Sequence, residues 1–309
     1  MTTKNRYAHF RGKIVPIEEA RVSIMTSALN YGTGIFEGIR AYWSAEEEEL
    51  FLFRLREHHE RLLRNARFLF MDLPHSADGL CEATIDLLRK EEFRTDVYVR
   101  PLAYKSSEVI GVRLHDLSCD FAMFAIPFGA YIDKPDGARL MVSSWRRIAD
   151  DAFPARMKIT GAYVNSALAK TEASMNGFDD ALMLCADGHV SEASAANFFV
   201  LRDGTLATPP VTDDILEGIT RDTFIRMARD LEIPVVERPI DRSEAYGAEE
   251  AFVCGTAVGL VPVIEIDRRP IGGGKAGSVS KKLRDLYLET VTGKNPRYRE
   301  WCTPVYAGK

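Results

Sequence analysis

Lys158 is the residue whose surroundings most suggest chemistry. It lies between Met157 and Ile159 and runs into Thr160-Gly161-Ala162-Tyr163. A lysine in apolar company loses hydration, which disfavours its charged form and frees an amine that attacks carbonyl groups. Alternatively it is an ordinary surface lysine of an amphipathic stretch. Downstream, Glu192 sits between Val190-Ser191 and the small-residue run Ala193-Ser194-Ala195-Ala196-Asn197. A carboxylate in such tight surroundings can approach the edge of a flat ring and hold a proton there; otherwise it is a solvent-facing turn residue. Leu216-Glu217-Gly218-Ile219-Thr220-Arg221-Asp222 starts an amphipathic helix from a glycine turn. Free N–H groups, the helix dipole and the Thr220 hydroxyl make an anion site at such a start, although a plain capped helix satisfies the same pattern. Gly255-Thr256-Ala257 repeats the device after the strand-like Phe252-Val253-Cys254, with a tight turn as the alternative. The run from Gly272 to Ser278 has the wrong spacing for a nucleotide P-loop and reads as a flexible turn.

The elements that must position these groups are legible in outline. Ala8-His9-Phe10 and Lys13-Ile14-Val15 flank Arg11-Gly12 as a hairpin, and residues 50–53 form a strand after a solvated acidic run at 46–49. Leu62, Leu63, Ala66, Leu69 and Phe70 give residues 56–70 a helical stripe, and Ser76 is a good N-cap for a second helix reaching residue 92. Residues 97–100 and 121–126 read as buried strands. In the second half, helices are expected at 161–176, 220–231 and 278–290, with strands at 181–185, 198–201, 206–207, 235–236, 251–254 and 261–266. The glycine- and proline-rich stretch at 127–137 reads as a linker between a small N-terminal α/β domain (1–126) and a larger C-terminal one (138–309). The fold class is therefore α/β of the α+β type.

Composition narrows the function. The 309 residues are 46% apolar and 28% charged, an ordinary globular balance, and a formal charge of -5 argues against a nucleic-acid binder. No apolar run follows the basic residues of the N-terminus, and no segment is long and apolar enough to span a bilayer, so a cytoplasmic location without membrane partners is expected. Cys81, Cys119, Cys185, Cys254 and Cys302 are scattered singly, which fits a reducing compartment and neither a disulfide framework nor a zinc site. His58 and His59 are adjacent, so on a helix they cannot share a face as ligands spaced one turn apart would, and no metal is expected.

Taken in order along nearly the whole chain, several segments resemble the fold-type IV pyridoxal-phosphate enzymes. They are Lys158 with Gly161-Ala162-Tyr163-Val164-Asn165-Ser166, Gly188-His189-Val190-Ser191-Glu192, Asn197-Phe198-Phe199, Thr208-Pro209-Pro210, Gly218-Ile219-Thr220-Arg221 and Gly255-Thr256-Ala257. Within that group, the run from Tyr31 to Arg40 and Tyr98-Val99-Arg100-Pro101 make the chain similar to branched-chain amino-acid aminotransferases. These segments favour that subfamily over D-amino-acid transaminases, (R)-amine transaminases and aminodeoxychorismate lyases of the same fold.

The resemblance implies a two-domain, D-amino-acid-aminotransferase-like fold and ping-pong transamination between Leu, Ile or Val and 2-oxoglutarate, in a homodimer or larger assembly. It implies that Lys158 forms an internal aldimine with pyridoxal 5'-phosphate and shuttles the proton, that Glu192 faces the pyridine nitrogen, and that Tyr163 donates to the phenolic oxygen. It implies phosphate contacts from Arg61, Gly218, Ile219, Thr220, Gly255 and Thr256; Arg61 is otherwise one charge on the polar face of its helix. Tyr31, Phe36, Tyr163, Phe128 and Tyr131 would lie at the substrate, with Gly38 leaving room for a branched side chain. Arg100 would meet the distal carboxylate of glutamate, and Tyr98, Thr256 and Ala257 the α-carboxylate. Phe128, where a tryptophan is frequent, and Val258-Gly259-Leu260, where a more polar sequence is, depart from the family pattern.

Overall fold

The structure, a computed structural model, describes residues 6–129, 132, 134 and 136–307. The chain divides into two compact units: Met1–Gly129 with Lys158–Gly161 and Glu289–Lys309, and Ala130–Met157 with Ala162–Leu288.

In the first unit, β1 (Tyr7–Phe10) and β2 (Lys13–Pro16) form a hairpin, followed by α1 (Ser27–Tyr31), β3 (Gly34–Phe36), β4 (Ile39–Ser44) and β5 (Glu49–Phe53). Next come α2 (Leu55–Phe68), α3 (Ala77–Glu91), β6 (Val97–Lys105) and β7 (Cys119–Pro127). The second unit contains β8 (Ala138–Val142), α4 (Tyr163–Met175), β9 (Asp180–Leu184), β10 (Val190–Ala193), β11 (Asn197–Arg202), β12 (Thr205–Thr208), α5 (Ile219–Asp230) and β13 (Val235–Glu237). It continues through α6 (Arg242–Tyr246), β14 (Glu250–Gly255), β15 (Gly259–Ile266) and β16 (Arg269–Pro270) into α7 (Ser278–Val291), whose end from Glu289 on belongs with β17 (Cys302–Pro304) to the first unit.

The first sheet runs β17-β5-β4-β6-β7-β1-β2, with β3 also on β6, and every pairing in it is antiparallel. Residues 121–126 of β7 alternate between buried and partly exposed, as expected of a strand with one packed face, whereas β6 is buried along most of its length. Helix α2 turns Leu55, His58, His59, Leu62 and Ala66 inward at one- and two-turn spacing. Helix α3 starts where the Ser76 hydroxyl accepts from Gly79 N at 3.1 Å. The second sheet, β10-β9-β8-β15-β14-β11-β12-β13 with β16 on β15, is mixed, its β9-β8-β15 and β12-β13 pairings being parallel. Leu140, Leu182, Phe198, Val200, Val253 and Val263 are among its buried core residues.

Two expectations change. The split into 1–126 and 138–309 is too simple, because Ile159 bridges to Ile35 and β17 pairs with β5, placing both segments in the first unit. The boundary at Gly129 falls within the expected linker, of which residues 130, 131, 133 and 135 lie outside the described residues. The acidic run at 46–49 is not solvated throughout: Glu49 is buried and accepts from the backbone N–H of Leu50, Val305, Tyr306 and Ala307 at 2.7–3.0 Å.

Candidate active site

In the first unit, the lysine segment is clasped to β3. Phe36 N donates to Lys158 O at 3.0 Å, Gly161 N to Gly32 O at 3.2 Å, and the Thr160 hydroxyl to Gly32 O at 2.8 Å. Gly32 ends α1 with φ 66°, and a Cβ there would come 2.8 Å from Gly161 Cα, so only glycine permits this approach. Lys158 is partly exposed, and its Nζ lies 4.9 Å from the centre of the Phe36 ring.

Arg61 is not on the polar face of its helix. It is buried and forks onto Glu37, with Nε–Oε1 at 2.6 Å and Nη2–Oε2 at 2.8 Å, while His58 Nδ1 meets Glu37 Oε2 at 2.8 Å. Burial opposes ionisation of Glu37, but the Arg61 fork and the His58 bond outweigh it and hold the carboxyl well below the usual range. Burial pushes His58 down as well, so the imidazole stays neutral beside an ionised acid.

A second cluster of the same unit joins β3, β4, β6 and the end of β7. Arg100 Nη2 donates to the Tyr98 hydroxyl at 3.1 Å, and its guanidinium stacks 4.6 Å from the Phe36 ring. Its Nε is buried without a hydrogen bond, a donor suited to an incoming carboxylate. The Phe128 ring packs on Tyr98 at 5.1 Å. Gly38 gives its space to Tyr98 rather than directly to a substrate, since a Cβ would come 2.6 Å from Tyr98 Cζ. Tyr31 accepts from Gly111 N at 3.0 Å. Tyr131 lies outside the described residues.

In the second unit, Glu192 is not a turn residue: it stands on β10 and is buried. Its Oε1 lies 2.7 Å from Arg147 Nη2, and its Oε2 accepts from Asn197 Nδ2 at 2.9 Å and Leu216 N at 3.2 Å. Asn197 Nδ2 also donates to Leu216 O at 2.9 Å, fixing the approach to α5. A Cβ on Gly218 would overlap Asn197 Oδ1, so glycine is required there for space, at an extended φ of −70°. Gly218 caps α5 with no side-chain cap, and Ile219 and Thr220 behind it are buried. An anion is one of the partners that such a helix end can take. Gly255 ends β14, where a Cβ would come 3.4 Å from Ala195 O, and Thr256 and Ala257 turn partly exposed behind it. Tyr163 is the first residue of α4 and partly exposed.

Sequence reasoning missed Arg147, which reads no differently from Arg146 beside it, and Glu37, whose partners stand 21 and 24 residues away. The glycine turn before α7 is also accounted for: Glu250 accepts from Val279 N at 3.0 Å and Ser280 N at 2.8 Å, so a carboxylate already caps that helix. Among the described residues, no group of three or more His, Cys, Asp or Glu is placed to hold a metal, and no helix is long and apolar enough to cross a membrane.

The second unit thus holds a glycine-capped helix end and a braced acid, and the first a clasped lysine. Residues 34–266 match the family described as Amino-transferase class IV, and the chain belongs to it. It is 51% identical over 301 residues to a probable branched-chain-amino-acid aminotransferase of Aquifex aeolicus (strain VF5), covering 97% of each chain. The branched-chain aminotransferase of the archaeon Thermoproteus uzoniensis, solved with norvaline, superposes with a TM-score of 0.94 at 44% identity, covering 98% of this chain and 100% of that one. A T.th. branched-chain amino acid aminotransferase, complexed with N-(5'-phosphopyridoxyl)-L-glutamate, gives 0.93 at 42%, covering 98% and 99%.

Proposed function

We propose that the protein is a pyridoxal-phosphate-dependent branched-chain amino-acid aminotransferase, exchanging amino groups between Leu, Ile or Val and 2-oxoglutarate by a ping-pong route. The observation that carries this reading is the buried Glu192, braced by Arg147 and Asn197, in the same unit as the glycine-capped start of α5. Full-length similarity to branched-chain aminotransferases, one of them complexed with a phosphopyridoxyl glutamate, supports it.

The cofactor, when bound, supplies an electron sink for the pair left as the substrate α-carbon loses its proton. The chain supplies the rest. Lys158 Nζ removes that α-proton as general base and returns one as general acid, and Phe36 shields one side of the amine. Glu192 presents a fixed carboxylate able to keep a ring nitrogen protonated, because Arg147 stabilises its charge and Asn197 fixes its plane. Gly218, Ile219, Thr220, Gly255 and Thr256 would hold the phosphate, as would Arg61, and Tyr163 would donate to the phenolic oxygen. Phe36, Tyr98 and Phe128 form an apolar lining for branched side chains, with Tyr31 beside them. Arg100 receives the distal carboxylate of glutamate, and Tyr98 with the Thr256-Ala257 turn receives the α-carboxylate. The working form is a homodimer or larger assembly in the cytoplasm.

The test is a panel of keto acids offered with glutamate as donor, run on the wild type and on Lys158→Ala. Transfer to the keto acids of leucine, isoleucine and valine, with loss of the visible absorption band and of turnover in Lys158→Ala, is expected. Transfer only to aromatic keto acids, or only from D-amino acids, would overturn the substrate assignment.

A further inference from the structure

We propose that Arg40, braced by Asp96, is a positioning residue that sets side-chain selectivity by holding Phe128 and Gly129 against Tyr98. The proposal rests on the reading of Tyr98 and Phe128 as substrate-pocket residues.

Strand β7 ends at Pro127; beyond it one backbone bond, between Phe128 and Asp96, continues the pairing with β6, and side chains hold the rest. Phe128 N donates to Asp96 O at 3.0 Å, and its ring packs 5.1 Å from that of Tyr98. Arg40 stands opposite Tyr98 in the β4–β6 ladder. Its Nη1 donates to Gly129 O at 3.0 Å, and its guanidinium lies 5.1 Å over the Phe128 ring and 5.0 Å over Tyr42. Asp96 Oδ2 lies 3.3 Å from Arg40 Nη2, while Oδ1 accepts from Trp43 N at 2.9 Å. The acid is thus fixed by the backbone of β4, and the arginine by the acid.

Arg40 is only 5% exposed. Burying a guanidinium carries a desolvation penalty that a well-packed apolar side chain would avoid, so bulk stability is a poor reason for an arginine here. What an arginine adds is geometry: a flat cation that stacks on a ring while its N–H fork reaches a carbonyl and a carboxylate. Those contacts leave Phe128 unable to retreat. A wall that cannot retreat admits a leucine side chain and resists a longer or aromatic one; freed, the same wall becomes permissive.

The experiment uses the holoenzyme of the wild type, Arg40→Met, Arg40→Lys and Asp96→Asn. Two readouts are taken: kcat/KM for leucine against phenylalanine with a common keto acid, and the dissociation constants of 4-methylvaleric and 3-phenylpropionic acids by calorimetry. Arg40→Met should lower the leucine-to-phenylalanine ratio about tenfold, the scale on which a pocket resolves one methylene, and shift the ratio of the two acids the same way. Arg40→Lys and Asp96→Asn should fall between it and the wild type. Should Arg40→Met fail to fold, Asp96→Asn carries the test, because the Asp96 side chain is 40% exposed. Equal losses on both substrates, with both ratios unchanged in every folded variant, would show Arg40 to be structural only and overturn the proposal. A wild type inactive on leucine would fail the substrate reading instead, and the binding ratio of the two acids would still decide the role of Arg40.

Discussion

Replacing Gly218 by alanine tests whether one glycine holds the acid and the anion cradle in register. The extended backbone at Gly218 suits alanine, so the substitution adds no backbone strain. The methyl group would instead overlap Asn197 Oδ1, with Arg221 Cβ 3.2 Å away on another side. Asn197 is buried and can yield only by giving up its bonds to Glu192 Oε2 and Leu216 O, both 2.9 Å. At about 2 kcal/mol for the bond to a charged acceptor and about 1 kcal/mol for the neutral one, Gly218→Ala should cost about 3 kcal/mol. Asn197→Ala removes the same two bonds and should cost a similar amount. The double variant has nothing left to clash and nothing more to lose, so its cost should also stay near 3 kcal/mol, a coupling of about 2–3 kcal/mol. Urea unfolding of each protein without added cofactor, followed by circular dichroism and tryptophan fluorescence together, measures these differences if the two transitions coincide. Strict additivity, or a Gly218→Ala protein within about 0.5 kcal/mol of the wild type, would refute the reasoning, since neighbouring sites that share a contact are not additive.

Further outcomes concern charge and tethering. Burial, helped by the neighbouring His58, lowers the pKa of His59 from 6.5 to about 3, while Nε2 is held by the Thr84 hydroxyl at 2.9 Å. Its stability contribution is therefore complete above pH 6.5 and is lost as pH falls toward 3, because the unfolded chain takes up a proton that the fold refuses. Within that window His59→Gln should flatten the slope of stability against pH by about 1.4 kcal/mol per unit; identical slopes would count against it. Arg100→Ala should reduce kcat/KM for glutamate about 10- to 100-fold, the worth of a charge-assisted hydrogen bond, and that for leucine only severalfold; equal losses would remove Arg100 from the distal-carboxylate site. Glu49→Gln should accelerate amide exchange at Val305, Tyr306 and Ala307, read by mass spectrometry, since it weakens the bonds those three N–H groups donate; unchanged exchange would mean that β17 alone holds the tail.

The longer elements could be read from the chain because local rules fix them. The inward face of α2 at Leu62 and Ala66, the Ser76 cap of α3 and the hairpin at Arg11-Gly12 each depend on neighbours within a few residues, whereas Phe70, read into the same stripe, lies past the helix end and is exposed. What escaped depends on distant partners. Val190-Ser191-Glu192-Ala193 looks like a turn until β9 pairs with it, and Cys302-Thr303-Pro304 is too short and too polar to announce a strand without β5. The site divides the same way. Lys158, the Gly218-Ile219-Thr220 helix start and the Gly255 turn stand out by their own residue types, whereas Tyr98 and Arg100 come only through the family resemblance. Arg147, Glu37 and the Arg40–Asp96 brace carry no local signal, because each gains its role from a residue more than 20 positions away.

The route of the chain through the first sheet has a cost during synthesis. The strand that covers the outer edge of β5 leaves the ribosome after all the others described here, and the segment that docks on β3 emerges only after residue 157. A nascent chain of 129 residues would therefore display the apolar edge Glu49-Leu50-Phe51-Leu52-Phe53 with one row of amides and carbonyls unmatched. Such an edge invites pairing with another polypeptide. Until β17 arrives, that edge has no strand of its own chain to cover it.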